Sequence, residues 1–168
     1  MSFSQGQPAT SELNDPGQLV LETVEALRIP KTDYFLIGSG NLALRGLIDR
    51  DIADVYLLAD SALVKAIARR SGAWITEGYD DKVKNTTAHL EQPYLPLPVS
   101  ATVRLGWPHY PLDFYRHCGN TDEVWGIPCL DLGLVMASKR ALGRDQDVED
   151  GFAVNRAIGE MATVQERQ

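Results

Sequence analysis

The sequence predicts a mixed α/β (α+β) domain in which a small mixed β-sheet is flanked by helices, with further helices at the C-terminal end. Three observations favour this fold class. The 168 residues include 44% hydrophobic and 23% charged residues, an ordinary composition for a protein with one apolar core. Short β-rich runs alternate with amphipathic helical segments in the first half of the chain. Helical periodicity returns after residue 131.

Composition also limits the setting in which the protein works. The formal net charge is −7 and the isoelectric point is about 4.9, which disfavours broad electrostatic binding to nucleic acid. Apolar runs are far shorter than the roughly 20 residues that span a bilayer, and the N-terminus lacks the pattern of a secretory leader. Two cysteines are too few for a disulfide framework. We therefore expect a reduced, cytoplasmic protein that does not associate with membranes.

The elements of the first half follow from apolar spacing and from capping residues. Residues 1–16 lack apolar periodicity and predict a flexible N-terminal arm, so that a single domain spans residues 17–168. Helical spacing up to residue 29 predicts a first helix, with Asp15 as its N-cap before Pro16. The next elements are predicted as a strand at 34–37, a short helix at 41–46, a strand at 54–58, a helix at 61–70 and a strand at 72–77.

The second half has weaker signals. Residues 80–91 show no clear pattern, and the prolines at 93, 96 and 98 predict a loop or an edge strand. Strands are predicted at 99–105, 112–115 and 127–130. Helices are predicted from residue 131 and over residues 147–161.

The glycine-rich turn after the first predicted strand is the most informative segment. Gly38, Ser39 and Gly40 stand between a β-rich run and a short helix. Unpaired backbone N–H groups at such a junction suit a phosphate, glycine allows close approach, and the hydroxyl of Ser39 adds a donor. The alternative is a tight turn that binds nothing.

The same turn also fits a relaxed dinucleotide-binding fingerprint, Gly38-x-Gly40-x-x-Ala43. Asp60 stands about 20 residues further on, where an acidic residue would contact a ribose. Gly46 interrupts the helix early, however, and no second strand-helix-strand half is evident. A dinucleotide-binding domain is therefore kept as a less favoured alternative.

Two segments of the chain match, in the correct order, the motifs of one family. The first is Gly38-Ser39-Gly40-x-Leu42-Ala43-x-x-Gly46-Leu47 with Arg50 and a following strand that starts at Asp54, and the second is Lys139-x-x-x-Gly143-Arg144-Asp145-x-Asp147-x-x-Asp150. With these motifs the chain resembles the nucleotidyltransferase superfamily of the DNA polymerase beta type, small bacterial members in particular. The resemblance covers residues 34–60 well and residues 130–158 moderately, and it implies a nucleotidyltransferase-like fold.

The resemblance also implies a reaction. Proteins of this kind transfer a nucleoside monophosphate from a nucleoside triphosphate to an acceptor, which can be a small molecule, a protein or a tRNA, and some act as toxins of toxin-antitoxin pairs. In these proteins two carboxylates on one strand and a third on a neighbouring strand hold two Mg²⁺ ions, which bind the triphosphate and activate the acceptor. Here the resemblance assigns Asp54 and Asp113 to catalysis and metal binding. It assigns Gly38 and Ser39, with Lys139 or Arg144, to the phosphates of the nucleotide.

One position departs from the family pattern. The second carboxylate of the Asp-x-Asp motif is replaced by Tyr56, and a neutral phenol is a poor ligand for Mg²⁺. The chain is therefore predicted to be either an active transferase or a catalytically degenerate domain that binds a nucleotide or a protein. For Lys139 and Arg144, the alternative to phosphate binding is ion pairing with the acidic residues that follow, namely Asp145, Asp147 and Asp150.

Overall fold

The computed structural model describes residues 12–80, 83–104 and 110–166. In these ranges the helices are α1 (Asp15–Leu27), α2 (Gly38–Leu44), α3 (Ser61–Ala68), α4 (Leu112–His117), α5 (Leu132–Leu142) and α6 (Asp145–Glu166). The strands are β1 (Tyr34–Ile37), β2 (Val55–Ala59), β3 (Ala73–Asp80), β4 (Val83–Leu90), β5 (Val99–Thr102), β6 (Thr121–Val124) and β7 (Ile127–Leu130). The predicted mixed α/β class with C-terminal helices is confirmed.

The described strands form one mixed sheet in the order β3-β4-β5-β2-β1-β7-β6. β1 runs antiparallel to β2 and parallel to β7, and β2 runs parallel to β5. The C-terminal ends of β1 and β7 and the N-terminal end of β2 therefore lie side by side, at the same end of these strands. The dinucleotide-binding alternative expects β1 and β2 to be parallel across a helical crossover, whereas here they are antiparallel.

Capping residues explain where several helices begin and end. The side chain of Asn14 accepts a hydrogen bond from the backbone of Gly17, so the N-cap of α1 is one residue earlier than the predicted Asp15. Asp60 caps α3 in the same way, through the N–H of Leu63 at 2.7 Å. Gly143 ends α5 with a positive φ of 62°, which favours glycine and sends the chain into α6.

The two faces of the sheet differ in chemistry between β3 and β2. Cross-strand partners share a face, and one row across the strands is apolar, consisting of Ile75, Ala88, Ala101 and Leu57. The neighbouring row points to the other face and is largely polar, consisting of Trp74, His89, Ser100 and Tyr56. The alternation along each strand thus gives the sheet a core-forming face and a polar face that leads toward β2.

A buried arginine ties α2 to the other half of the sheet. The side chain of Arg45 is fully buried and lies 2.8 Å from the carboxylate of Asp122 on β6. It also donates to the side chain of Asn41 and to the backbone oxygen of Leu130. Arg45, which flanks the glycine turn in sequence, therefore holds the helix in place.

Two predictions of secondary structure need correction. The segment predicted as a strand at 112–115 is the helix α4, because Leu112 and Tyr115 are both buried and are spaced by one helical turn. The unassigned segment at 80–91 contains β4, which pairs with β3 in a long hairpin. Most of the predicted arm lies outside the described residues, and its last two residues belong to α1. None of the described helices has the length and apolarity that a bilayer crossing requires.

Candidate functional site

A cavity of about 420 Å³ lies at the end of the sheet where β1 and β7 end and β2 begins. Its walls come from the β1–α2 junction, the start of β2, α5 and the turn between α5 and α6. The volume is typical of small-molecule sites, which span about 300–1,000 Å³. The cavity brings together seven residues noted in the sequence, namely Gly38, Ser39, Asp54, Tyr56, Lys139, Arg144 and Asp147.

The turn from β1 into α2 depends on its glycine. Gly38 has a φ of +69°, a conformation that side-chain-bearing residues rarely adopt. The turn places Ser39 directly after the strand and inside the cavity wall. The helix that follows has only seven residues and no side-chain cap at its start.

The hydroxyl of Ser39 is surrounded by charged side chains. It donates a hydrogen bond to Asp150 at 3.0 Å and accepts hydrogen bonds from Arg50 at 2.8 Å and Lys139 at 2.9 Å. These contacts use the hydrogen and both lone pairs of the hydroxyl. We call Ser39, Arg50, Lys139, Asp147 and Asp150 the Ser39 cluster.

The ionic groups of the Ser39 cluster are paired largely out of water. The ammonium of Lys139 lies 2.8 Å from Asp150 and 3.2 Å from Asp147. The Lys139 side chain is 5% exposed, and both carboxylates are at most 1% exposed. The guanidinium of Arg50 also pairs with the carboxylate of Asp150, at 2.7 Å. Loss of one partner would leave a buried charge uncompensated, which is costly.

The pairing sets the protonation of both carboxylates. Burial by itself would raise the pKa values of Asp147 and Asp150, since a buried carboxylate loses its hydration. Hydrogen bonds and charge from Arg144 and Lys139 outweigh burial and hold the pKa of Asp147 below its ordinary value. Arg50 and Lys139 do the same for the pKa of Asp150. Both carboxylates are therefore ionised at neutral pH.

Lys139 and Arg144, which the resemblance assigned to the phosphates, both line the cavity. Lys139 uses its three N–H groups inside the Ser39 cluster. Arg144 holds Asp147 through two of its nitrogens, yet 66% of its side chain is exposed. The predicted ion pairing is confirmed for both residues with Asp147. Of the two cations, Arg144 is better placed to meet a ligand.

Asp54 forms part of a different wall, at the residue before β2. Its carboxylate accepts a hydrogen bond from Ser100 on β5 at 3.3 Å. Ser100 also lies 3.0 Å from Nδ1 of His89 on β4, and Nε2 of His89 lies 2.8 Å from the hydroxyl of Thr76 on β3. We call these four residues, which lie on β3, β4, β5 and just before β2, the Asp54 row.

The Asp54 row fixes the position of the proton on neutral His89. A serine hydroxyl has one hydrogen, and that of Ser100 points to Asp54. Nδ1 of His89 must then donate to Ser100, and Nε2 must accept from Thr76. All three hydrogen bonds run in one direction and end on the carboxylate of Asp54.

Tyr56 stands two residues after Asp54 and also lines the cavity. Burial raises the pKa of its phenol, and the charge of Asp54 raises the pKa further. A hydrogen bond with Thr87 and the charge of Arg144 oppose these effects without cancelling them. The phenol is therefore neutral at neutral pH, as the sequence predicted.

The donor set at Asp54 does not fit the two-metal site that the resemblance implies. Mg²⁺ prefers carboxylates and water, whereas the neighbours of Asp54 on β2 and β5 are the neutral side chains of Tyr56 and Ser100. Asp147 lines the cavity too, but it is held by Lys139 and Arg144. In the parts of the chain that the structure describes, no three acidic, histidine or cysteine side chains are placed to hold a metal.

Asp113, assigned as a second metal-binding carboxylate, lies elsewhere. It is in the first turn of α4, with 77% of its side chain exposed, and pairs with Arg116 at 3.3 Å. It lines a second cavity of about 360 Å³ together with Asp60, and it is not among the residues that line the cavity of Asp54. The structure does not bring Asp54 and Asp113 together, because the strands beside β2 are β1 and β5, and residues 112–115 are not a strand.

The sequence analysis did not single out Ser100, His89 or Thr76. They come from three strands whose neighbour relations depend on the β3–β4 hairpin and the β4–β5 register. The available signal was a polar residue, Ser100, between two apolar ones in a predicted strand. That signal marks a polar position but not its partners.

Comparisons with known proteins identify no relative of the chain. No protein-family model, curated protein or solved structure matches the chain. The function is therefore inferred from the cavity, the Ser39 cluster and the Asp54 row.

Proposed function

We propose that the chain binds a nucleoside triphosphate in the cavity, as a nucleotidyltransferase-type domain that has lost two-metal transfer. One observation carries the proposal. The two segments that resemble the nucleotidyltransferases meet at one cavity, where Ser39 and Lys139 are in contact although they are 100 residues apart. Two short motifs that are individually weak thereby support each other.

The lining of the cavity suits the parts of a nucleotide. The guanidinium of Arg144 stands at the rim, and guanidinium groups bind phosphate oxygens through paired hydrogen bonds. Apolar side chains of Ile52, Val135 and Leu142 supply walls against which a base or ribose would pack. Ser39, Lys139 and Asp147 of the Ser39 cluster line the cavity as well, and their contacts hold its walls in position.

Loss of transfer follows from the donor set. Two-metal transfer needs several carboxylates around two cations, and the position beside Asp54 in the Asp-x-Asp motif is the neutral Tyr56. Asp113, which the resemblance offered as a further ligand, faces another cavity. What the proposal retains is binding of the triphosphate.

Calorimetric titration of ATP, GTP, CTP and UTP, with Mg²⁺ and with EDTA, tests binding. We expect at least one triphosphate to bind and Arg144→Ala to weaken it by roughly tenfold or more, the value of a charge-assisted hydrogen bond. Arg140→Ala is the matched control, because Arg140 is exposed on α5 outside the cavity. Absence of binding for all four triphosphates would overturn the proposal.

Transfer is tested with triphosphates labelled at the α-phosphate. We expect the wild-type chain to label no small-molecule, protein or tRNA acceptor. We expect Tyr56→Asp, but not the uncharged control Tyr56→Asn, to gain measurable Mg²⁺ binding beside Asp54. Labelling by the wild type that disappears in Asp54→Asn would instead establish an active transferase.

A further inference from the structure

The two edges of the sheet differ in length and in the share of acidic residues. β6, at one edge, has four residues, and two of them are the carboxylates Asp122 and Glu123. β3, at the other edge, has eight residues in continuous register with β4, and two of the eight, Glu77 and Asp80, are acidic. Short length and charge protect an edge strand from pairing with other chains. Among the described strands, none pairs with the outer side of β3.

The side chains of β3 favour pairing as well. Trp74 and Ile75 are 46% and 51% exposed, on opposite faces of the strand. β3 contains no proline, and its register with β4 has no bulge that would turn the edge away. The carboxylate of Glu77 lies 3.0 Å from the ammonium of Lys84 on β4, which offsets its charge.

We propose that β3 pairs antiparallel with β3 of a second copy of this chain, which joins the two sheets edge to edge. Identical antiparallel strands are related by a two-fold axis perpendicular to the sheet, so one residue pairs with its own copy. That residue is Ile75. Trp74 then faces Thr76 of the second copy, and Ala73 faces its Glu77.

This register is self-complementary in polarity and charge. The two isoleucines face each other, and the two Glu77 carboxylates lie about 13 Å apart along the strands, four residue rises of about 3.3 Å. With Glu77 at the axis, like charges would face each other, which destabilises a strand pair. With Thr76 at the axis, Ile75 would face Glu77 of the second copy.

Pairing at Ile75 also continues the core of the domain. Ile75 is the cross-strand partner of Ala88, which is fully buried. The half-exposed Ile75 is therefore the outermost member of the apolar row that crosses the sheet. Two copies joined at this residue would form one apolar layer across both sheets.

Sedimentation equilibrium over a range of concentrations tests the association. We expect the wild-type chain to dimerise with a dissociation constant in the micromolar range, because one strand pair is smaller than a standard interface of about 1,600 Å². Ile75→Lys should be monomeric with an unchanged circular dichroism spectrum. Phe152→Lys is the control, since Phe152 is 67% exposed on α6 and should leave the dimer intact. A monomeric wild type, or dimerisation of Ile75→Lys like that of the wild type, would overturn the proposal.

Disulfide trapping tests the register without depending on a charged substitution. In a Cys118→Ser background, which removes the exposed native thiol, Ile75→Cys should form an intermolecular disulfide under mild oxidation. Glu77→Cys should not, because its thiols would be about 13 Å apart. The reverse result would overturn the register. Neither measurement involves a nucleotide, so failure here leaves the proposed function untouched.

Discussion

The Ser39 cluster and the Asp54 row border the same cavity but are built in opposite ways. The cluster pairs buried charges from segments up to 100 residues apart, and its acidic side chains are at most 1% exposed. The row is a chain of single hydrogen bonds between adjacent strands, with one carboxylate at its end. Buried charge pairs fix geometry at a high cost of disruption, whereas hydroxyl chains can adjust to a ligand.

The two groups differ in whether their side chains hold the fold together or are open to a ligand. Ser39 and Lys139, which carry much of the resemblance in sequence, spend their hydrogen-bonding groups on holding α6 against the β1–α2 turn. Asp54 keeps a carboxylate at the cavity wall and accepts a hydrogen bond from Ser100 on the neighbouring strand β5. The part of the motif that looks most like a ligand contact is thus the part that holds the fold together.

The largest expected effect on stability comes from a substitution in the Ser39 cluster. Asp150→Ala removes the partner of Lys139 and Arg50 and leaves buried cationic charge. We expect the free energy of unfolding to fall by about 3–5 kcal/mol, measured by urea denaturation. Glu149→Ala, at the exposed neighbouring position, should change it by less than about 0.5 kcal/mol. Equal effects of the two substitutions would show that the cluster does not anchor α6.

A smaller loss of stability is expected when the wild-type protein is brought to acidic pH. Because the native pKa values of Asp147 and Asp150 are lowered, their contribution to stability is complete above about pH 4 and is lost as the pH falls through the native values. Each unit of lowering contributes about 1.4 kcal/mol. The free energy of unfolding should therefore fall as the pH is lowered below about 4. Asp147→Asn should show a shallower fall, and an identical slope would contradict the assignment.

The sequence predicts the local parts of this architecture better than its long-range contacts. The turn at Gly38 and the start of the helix at residue 61 depend on nearby residues, and both are found where the spacing predicts them. The prediction of a strand at 112–115 is wrong because Leu112, Asp113 and Phe114 alternate as in a strand, whereas the residues that are buried, Leu112 and Tyr115, are one helical turn apart. The Asp54 row depends on which strands are neighbours and in what register, which no spacing within one segment reveals.

The smallest expected effect is on the Asp54 row. Ser100→Ala removes the donor to Asp54 and the acceptor of His89, and we expect a loss of about 1 kcal/mol in unfolding free energy. Nitrogen NMR shifts should show neutral His89 protonated at Nδ1 in the wild type and without this preference in the variant. Thr163→Ala is the control, because that hydroxyl bonds only within α6, to the backbone of Gly159. Protonation at Nε2 in the wild type would mean that Ser100 donates to His89, so that Asp54 would no longer end the chain.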